Sequence, residues 1–298
     1  MTNAEEQPSD LLHDRARLAG AILQACSLCP RECGINRLED ERGFCRIGAR
    51  AVVASAGPHF GEESVLVGTH GSGTIFFAGC NLGCLFCQNY DISHLAAGEE
   101  VSEEGLLRQM LAIRALGCHN INLVTPTHVV PQILRALALA RQEGLDLPVV
   151  YNCGGYESVE TLRLLSGIVD IYMPDFKFGD DEAAGRYAGV DDYFERAGQA
   201  LIEMHRQVGD LIIDSDGLAR RGLLVRHLVL PGGRAGTERV MRFIAEEISP
   251  DSYVNIMAQY RPEYRAAECP ELDRRITAGE YRQAVEAADR YGLTRLDR

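Results

Sequence analysis

Cys80, Cys84 and Cys87 stand four and then three residues apart in the string Cys-Asn-Leu-Gly-Cys-Leu-Phe-Cys. Three thiolates at that spacing suit one face of an iron-sulfur cube. A [4Fe-4S] cluster takes one thiolate per iron, so a three-cysteine loop leaves one iron open to a ligand from outside the chain. A CxxC pair alone would serve as a redox pair or half of a zinc site. CxxxCxxC directly after the apolar run 74–78 and a glycine is a narrower signal. Zinc at this loop would need a fourth ligand, with His70 and His94 nearest in sequence. A second group, Cys26, Cys29, Cys33 and Cys45, places four thiolates within twenty residues. Four internal ligands can close a tetrahedral zinc site or hold a complete cluster. Such a site is coordinatively saturated, and its expected role is structural or electron-relaying.

These residues must be positioned by a chain of 298 residues that is 46% hydrophobic, enough for a full-sized α/β core. Its formal net charge of -13 argues against a phosphate-backbone partner, so nucleic acid is not expected as a ligand. No uninterrupted apolar run approaches the roughly 18 residues of a membrane span, and the polar start MTNAEEQPSD is unlike a secretory signal. The expected location is the cytoplasm, without a membrane partner. Seven of the ten cysteines fall in the two groups above, which metal binding in a reducing compartment explains better than disulfides.

The first dozen residues read as a tail, followed by an amphipathic helix over 11–25 that leads into the cysteine-rich segment. Strand-like runs then appear at 74–78, 120–124, 148–152, 169–173, 223–230 and 253–258. Helical stretches lie at 102–116, 130–143, 158–165, 193–208 and 237–248. Near-continuous apolar strands alternating with helices predict a parallel sheet covered by helices, with chemistry at the C-terminal strand ends. Polar residues collect there: Thr127 and His128, Asn152 and Cys153, Asp175 and Lys177, Gln259 and Arg261, with Arg226 inside the fifth apolar run. Asp175 and Lys177, two apart, share a side of an extended chain. Arg226 wants an anionic partner. Thr127 reads equally well as a helix N-cap with His128 in the first turn. Cys153 is expected to be inert packing more often than a nucleophile.

The three-cysteine loop resembles that of the radical S-adenosylmethionine (SAM) enzymes, with Phe86 where the superfamily has an aromatic. The longer string Cys80-Asn-Leu-Gly-Cys-Leu-Phe-Cys-Gln-Asn-Tyr-Asp-Ile-Ser93 resembles the branch related to pyruvate formate-lyase activating enzymes. The segment 28–34 and the tail 269–277 resemble a family of homologues of those enzymes. The resemblance implies a partial (β/α)6 barrel, since six units are too few to close an eight-unit one. It also implies a cysteine-rich metal-binding module over 1–60 and a radical SAM core with a C-terminal helical extension over 61–298. SAM would chelate the open iron and be cleaved reductively to a 5'-deoxyadenosyl radical.

Position by position, the resemblance implies that Lys177 meets SAM's carboxylate and Asp175 helps hold a neighbouring cation. Thr127 or a nearby carbonyl would contact the amino group, Asn152 and Arg226 the rest of the cofactor, and Gln259 and Arg261 the adenine. His128 would face substrate. The implied partners are a one-electron donor such as flavodoxin or ferredoxin and a glycyl radical protein. Radical chemistry on a small molecule or peptide is the alternative, and a zinc-stabilised binding module the reading from another class.

Overall fold

The computed structural model describes residues 8–297. Six strands form the frame: β2 (Ser72–Phe77), β4 (Ile121–Val124), β5 (Val149–Cys153), β6 (Ile171–Pro174), β8 (Ala219–Leu228) and β9 (Tyr253–Met257). Each pairs in parallel with the next. β4 to β6 are almost wholly buried, as apolar strands covered on both faces must be. β9 pairs with β8 and not with β2, so the barrel stays open along that seam. This is the expected partial (β/α)6 architecture. The turn before α2 (Ser64–Val67) stands at the gap, where Asn255 Nδ2 on β9 donates to Glu63 Oε1 at 2.8 Å.

Helices cover the outside and are started by side chains that satisfy their first amides. Ser102 caps α4 (Glu103–Ala115), Ser158 caps α6 (Val159–Leu164) and Asp180 caps α7 (Asp181–Ala188). α5 (Val130–Gln142) carries Pro131 in its first turn, where no amide partner is lost. α8 (Tyr193–Val208) packs on the sheet, and α9 (Thr237–Phe243) passes into a π-helical turn, Ile244–Ile248. The expected single helix over 237–248 is therefore two segments. α10 (Ala278–Arg290) opens on a capping box between Thr277 and Glu280.

The first helix, α1 (Pro8–Ile22), is described from three residues before the expected 11–25 helix and rests on α5. The expected tail otherwise falls on residues 1–7, outside those described. The apolar-run reading missed β1 (Ala51–His59), β3 (Glu99–Val101) and β7 (Ile212–Ile213), which pair antiparallel at the sheet's edges. β1 is buried over its first three residues, Ala51 to Val53, and exposed or half-exposed over the rest. It lies before residue 60 yet pairs with β2, so the expected 1–60 segment contributes a strand to the barrel's own sheet. Short helix α3 (Tyr90–Ser93) follows the cysteine loop. Among the described residues no helix is long and apolar enough to cross a membrane.

Candidate active site

β2 delivers its chain to a turn at Gly79, whose φ of +80° favours glycine and whose Cα approaches the Cys45 carbonyl so closely that a Cβ would lie 2.4 Å from it. The three cysteines follow. The loop is pinned from outside the barrel: Gly83 N–H donates to the Ala188 carbonyl at 3.0 Å and Leu85 N–H to that of Tyr187 at 2.8 Å. Within it, Leu82 N–H points at Cys80 Sγ (3.4 Å), and Cys87 Sγ lies 3.1 Å from Ser93 Oγ. His94 is not a fourth donor, since its Nε2 lies 3.1 Å from the Cys84 carbonyl and its ring stacks on Tyr264. Among the described residues no three His, Cys, Asp or Glu side chains are grouped so as to hold a single metal ion.

Cys84 and Cys87 face a cleft of about 250 Å³ whose far wall carries Asp175, Lys177, Arg226 and Gln259. Phe86 lines its edge, held edge-on between Phe178 and Tyr260. A larger cavity of about 500 Å³ lies between α9 and α10. It contains no cysteine and no residue of the strand-end cluster, so the chemistry points to the smaller one.

The far wall is a chain of charges. Asp175 pairs with Lys177 through one oxygen and accepts from Arg226 Nε at 2.8 Å through the other. Arg226 reaches on to Asn152 Oδ1 at 2.7 Å and to Glu62 at 3.6 Å. Burial alone would raise the Asp175 carboxyl, but the charges of Arg226 and Lys177 outweigh it and hold it below the usual range. Lys177 is partly buried, which would lower its pKa, but Asp175 holds its ammonium protonated well above the ordinary value. Burial pushes the Cys80 and Cys84 thiols up to about 12, with the Lys177 charge opposing it at both.

Tyr193 fixes this geometry from α8. Its hydroxyl lies 2.9 Å and 3.0 Å from the Gly154 and Asp175 carbonyls and accepts from Lys177 N–H at 2.9 Å. Gly155, at φ +81°, allows the close approach, since a Cβ there would fall 2.1 Å from the Asp175 oxygen.

Against known proteins, the chain is 36% identical to the uncharacterized protein MJ0674 of Methanocaldococcus jannaschii over 95% of its own length and 80% of that protein's. The model of the Radical SAM superfamily matches residues 74–213, from the strand before the cysteine loop past the strand that ends in Asp175 and Lys177. The chain belongs to the radical SAM superfamily. A stretch of 116 residues is 30% identical to the pyruvate formate-lyase-activating enzyme of Clostridium pasteurianum, covering 36% of this chain and 46% of that one. A radical SAM methyltransferase from Sphaerobacter thermophilus shares the fold, with a TM-score of 0.51 at 15% identity over 74% of this chain and 64% of its own.

Membership in the radical SAM superfamily implies a [4Fe-4S] cluster and SAM. The cleft suits both: thiols on one wall are fit to hold iron, and a partly buried cation on the other matches a carboxylate.

Not every strand-end residue reaches this cleft. Thr127 is neither a helix cap nor a cleft residue. It is fully buried inside a 3-10 turn and donates to Glu157 Oε1 at 2.7 Å. His128 does not face the cleft either. Its Nε2 lies 2.7 Å from the Ala78 carbonyl, and it lines a different cavity with the N-terminal cysteines. Burial, reinforced by the Arg37 charge, lowers its pKa to about 3 and keeps the ring neutral. Arg261 is half exposed and spent on Glu263 at 2.9 Å, outside the cleft lining. Cys153 is buried beside Glu157, and burial raises its thiol far above the ordinary range, which suits packing and not nucleophilic attack.

Sequence reading missed Glu62, Glu157 and Tyr193. Glu157 is buried beneath the strand ends, accepts from Thr127 and Tyr151, and is pushed up to about 7 by burial. Glu62 is also raised to about 7, by burial first and against the pull of Arg226. Only the acidic pair Glu62-Glu63 before a short apolar run offered a signal.

Proposed function

We propose that Cys80, Cys84 and Cys87 hold the superfamily's [4Fe-4S] cluster and that SAM occupies the adjoining cleft. We further propose that the enzyme abstracts a hydrogen from a backbone glycine of a glycyl radical protein. The observation that carries the first reading is the single cleft that joins Cys84 and Cys87 to Lys177, Asp175 and Arg226. When bound, the cluster supplies the electron that cleaves SAM reductively. The chain's own residues bind and orient. Lys177 Nζ, already protonated, faces the cleft and neutralises a carboxylate there. Asp175 and Tyr193 fix the lysine's position, and Arg226 stiffens the wall by holding Asp175 and Asn152 together. Gln259 offers an amide at the rim for a base edge.

The choice of a glycyl radical partner is supported by the 116-residue likeness to a pyruvate formate-lyase-activating enzyme and by the Met173-Pro-Asp-Phe-Lys177 string within the matched core. Electrons would come from a flavodoxin or ferredoxin. Anaerobic protein loaded with iron and sulfide, given SAM and a reduced flavodoxin, should release 5'-deoxyadenosine. With a glycyl radical protein from the same genome it should also produce a glycyl doublet in the electron paramagnetic resonance (EPR) spectrum of that partner. Nucleoside release with a small molecule or peptide consumed, and no doublet, would replace this partner with the alternative substrate class. Failure to take up iron at all would leave only a zinc-stabilised binding module.

A further inference from the structure

A second cavity lies against the back of the cysteine loop, and Cys26, Cys29, Cys33 and Cys45 all line it. Its other polar lining residues are Arg31, Arg37, Asn81 and His128, with no carboxylate among them. Arg37 is completely buried. Its Nε and Nη2 donate to the Gly48 carbonyl at 3.1 and 2.8 Å, and its Nη1 donates to the His128 carbonyl at 2.7 Å and lies 3.9 Å from Cys26 Sγ. Arg31 donates from Nε to the Asn81 carbonyl at 3.0 Å and lies 3.7 Å over the Phe44 ring, while its Nη2 is buried with no hydrogen-bond partner. Guanidinium groups taken out of water without an anion are costly. Neutral thiols cannot supply that anion, whereas four thiolates on a divalent metal core form a dianion, one negative charge for each arginine.

Zinc and an iron-sulfur cube would carry the same charge but demand different shapes. A tetrahedral zinc draws its four sulfurs to about 2.3 Å from one point. Here the four cysteines ring a cavity, and they form no single-ion group, just as the three cysteines at the end of β2 form none. We infer that Cys26, Cys29, Cys33 and Cys45 ligate a second, coordinatively closed [4Fe-4S] cluster, its charge balanced by Arg31 and Arg37. It adjoins the first cluster's loop directly. Asn81, the residue after Cys80, lines the second cavity, and Gly79, the residue before it, packs on the Cys45 carbonyl.

Metal analysis and EPR of anaerobically reconstituted protein test this without relying on turnover. The full chain should hold about eight irons, one cube at each site. The Cys80→Ala, Cys84→Ala, Cys87→Ala triple variant should keep about four, with a simple S = 1/2 signal on dithionite reduction that SAM leaves unchanged. In the wild-type protein the reduced signal should be broadened by spin coupling between neighbouring clusters, a part of the expectation that rests on the cleft reading above. One zinc beside four irons in the wild type, or an iron-free triple variant that still binds zinc, would overturn the inference. The wild-type count needs no variant to fold. Four irons in both wild type and triple variant would keep this cluster and sink the reading of the cleft instead.

Discussion

The cysteine loop after β2 and the cysteine-rich segment before β1 use the same donor atom, yet one group is a thiolate short and the other complete. The incomplete group faces a cleft with a cation and a buried ion chain on its far wall. The complete group faces a narrower cavity lined by arginines and no carboxylate. The difference teaches where chemistry is admitted: an open coordination position is useful only where a ligand can reach it, and a filled one only holds charge and structure.

The hardest blow to that contrast is removal of the open site. The Cys80, Cys84, Cys87 triple alanine variant should lose reductive SAM cleavage altogether, and dithionite-dependent 5'-deoxyadenosine formation surviving it would erase the distinction. Lys177→Ala comes next. It strips the carboxylate partner from the cleft, a loss of about 1.5 to 3 kcal/mol for a charge-assisted contact. SAM affinity should fall roughly ten- to a hundredfold with iron content unchanged, as equilibrium binding to cluster-loaded protein will show. Wild-type affinity would mean that the far wall does not bind SAM.

Asp175→Asn should act in the same direction and less strongly, since it loosens Lys177 without removing it. The closed site should behave differently. Replacing Cys26 and Cys29 by Ala is expected to lower the thermal midpoint by roughly 5 to 10 °C while SAM-cluster absorption persists, and a midpoint equal to the wild type's would show that the quartet stabilises nothing.

The smallest effect sharpens the contrast from beneath the barrel. Glu157 is raised from 4.5 to about 7 by burial. A folded pKa above the unfolded one means that its stabilising share is fully present below pH 4.5 and is lost as pH rises through 7. Glu157→Gln should flatten stability against pH over that window and raise it at pH 8 by on the order of 2 kcal/mol. Identical denaturation profiles at pH 5 and pH 8 for both proteins would rule this out.

Much of this was legible in the sequence because the relevant signals are local. Apolar runs buried on both faces announce the six parallel strands, and β4, β5 and β6 lie within two residues of where those runs place them. The antiparallel strands β1 and β3 were not legible, because exposed and half-exposed residues near a sheet's edge look like loop. At the site, spacing alone marked the cysteines, because Cys80, Cys84 and Cys87 lie within eight residues of chain.

Thr127, His128 and Arg261 show the limit of that reading. Each sits at a strand end, but which way a side chain turns there depends on what packs behind it, and Glu157, Ala78 and Glu263 claimed all three. The sequence by itself determined the two cysteine groups, of three and four, and the six parallel strands. Only the tertiary structure decided that Arg226 closes on Asp175 from 51 residues away, that Tyr193 locks Lys177, and that buried Arg37 and half-buried Arg31 line the quartet's cavity. The physical reason is that charge compensation and burial are set by residues distant in sequence, and no local pattern encodes which of them will meet.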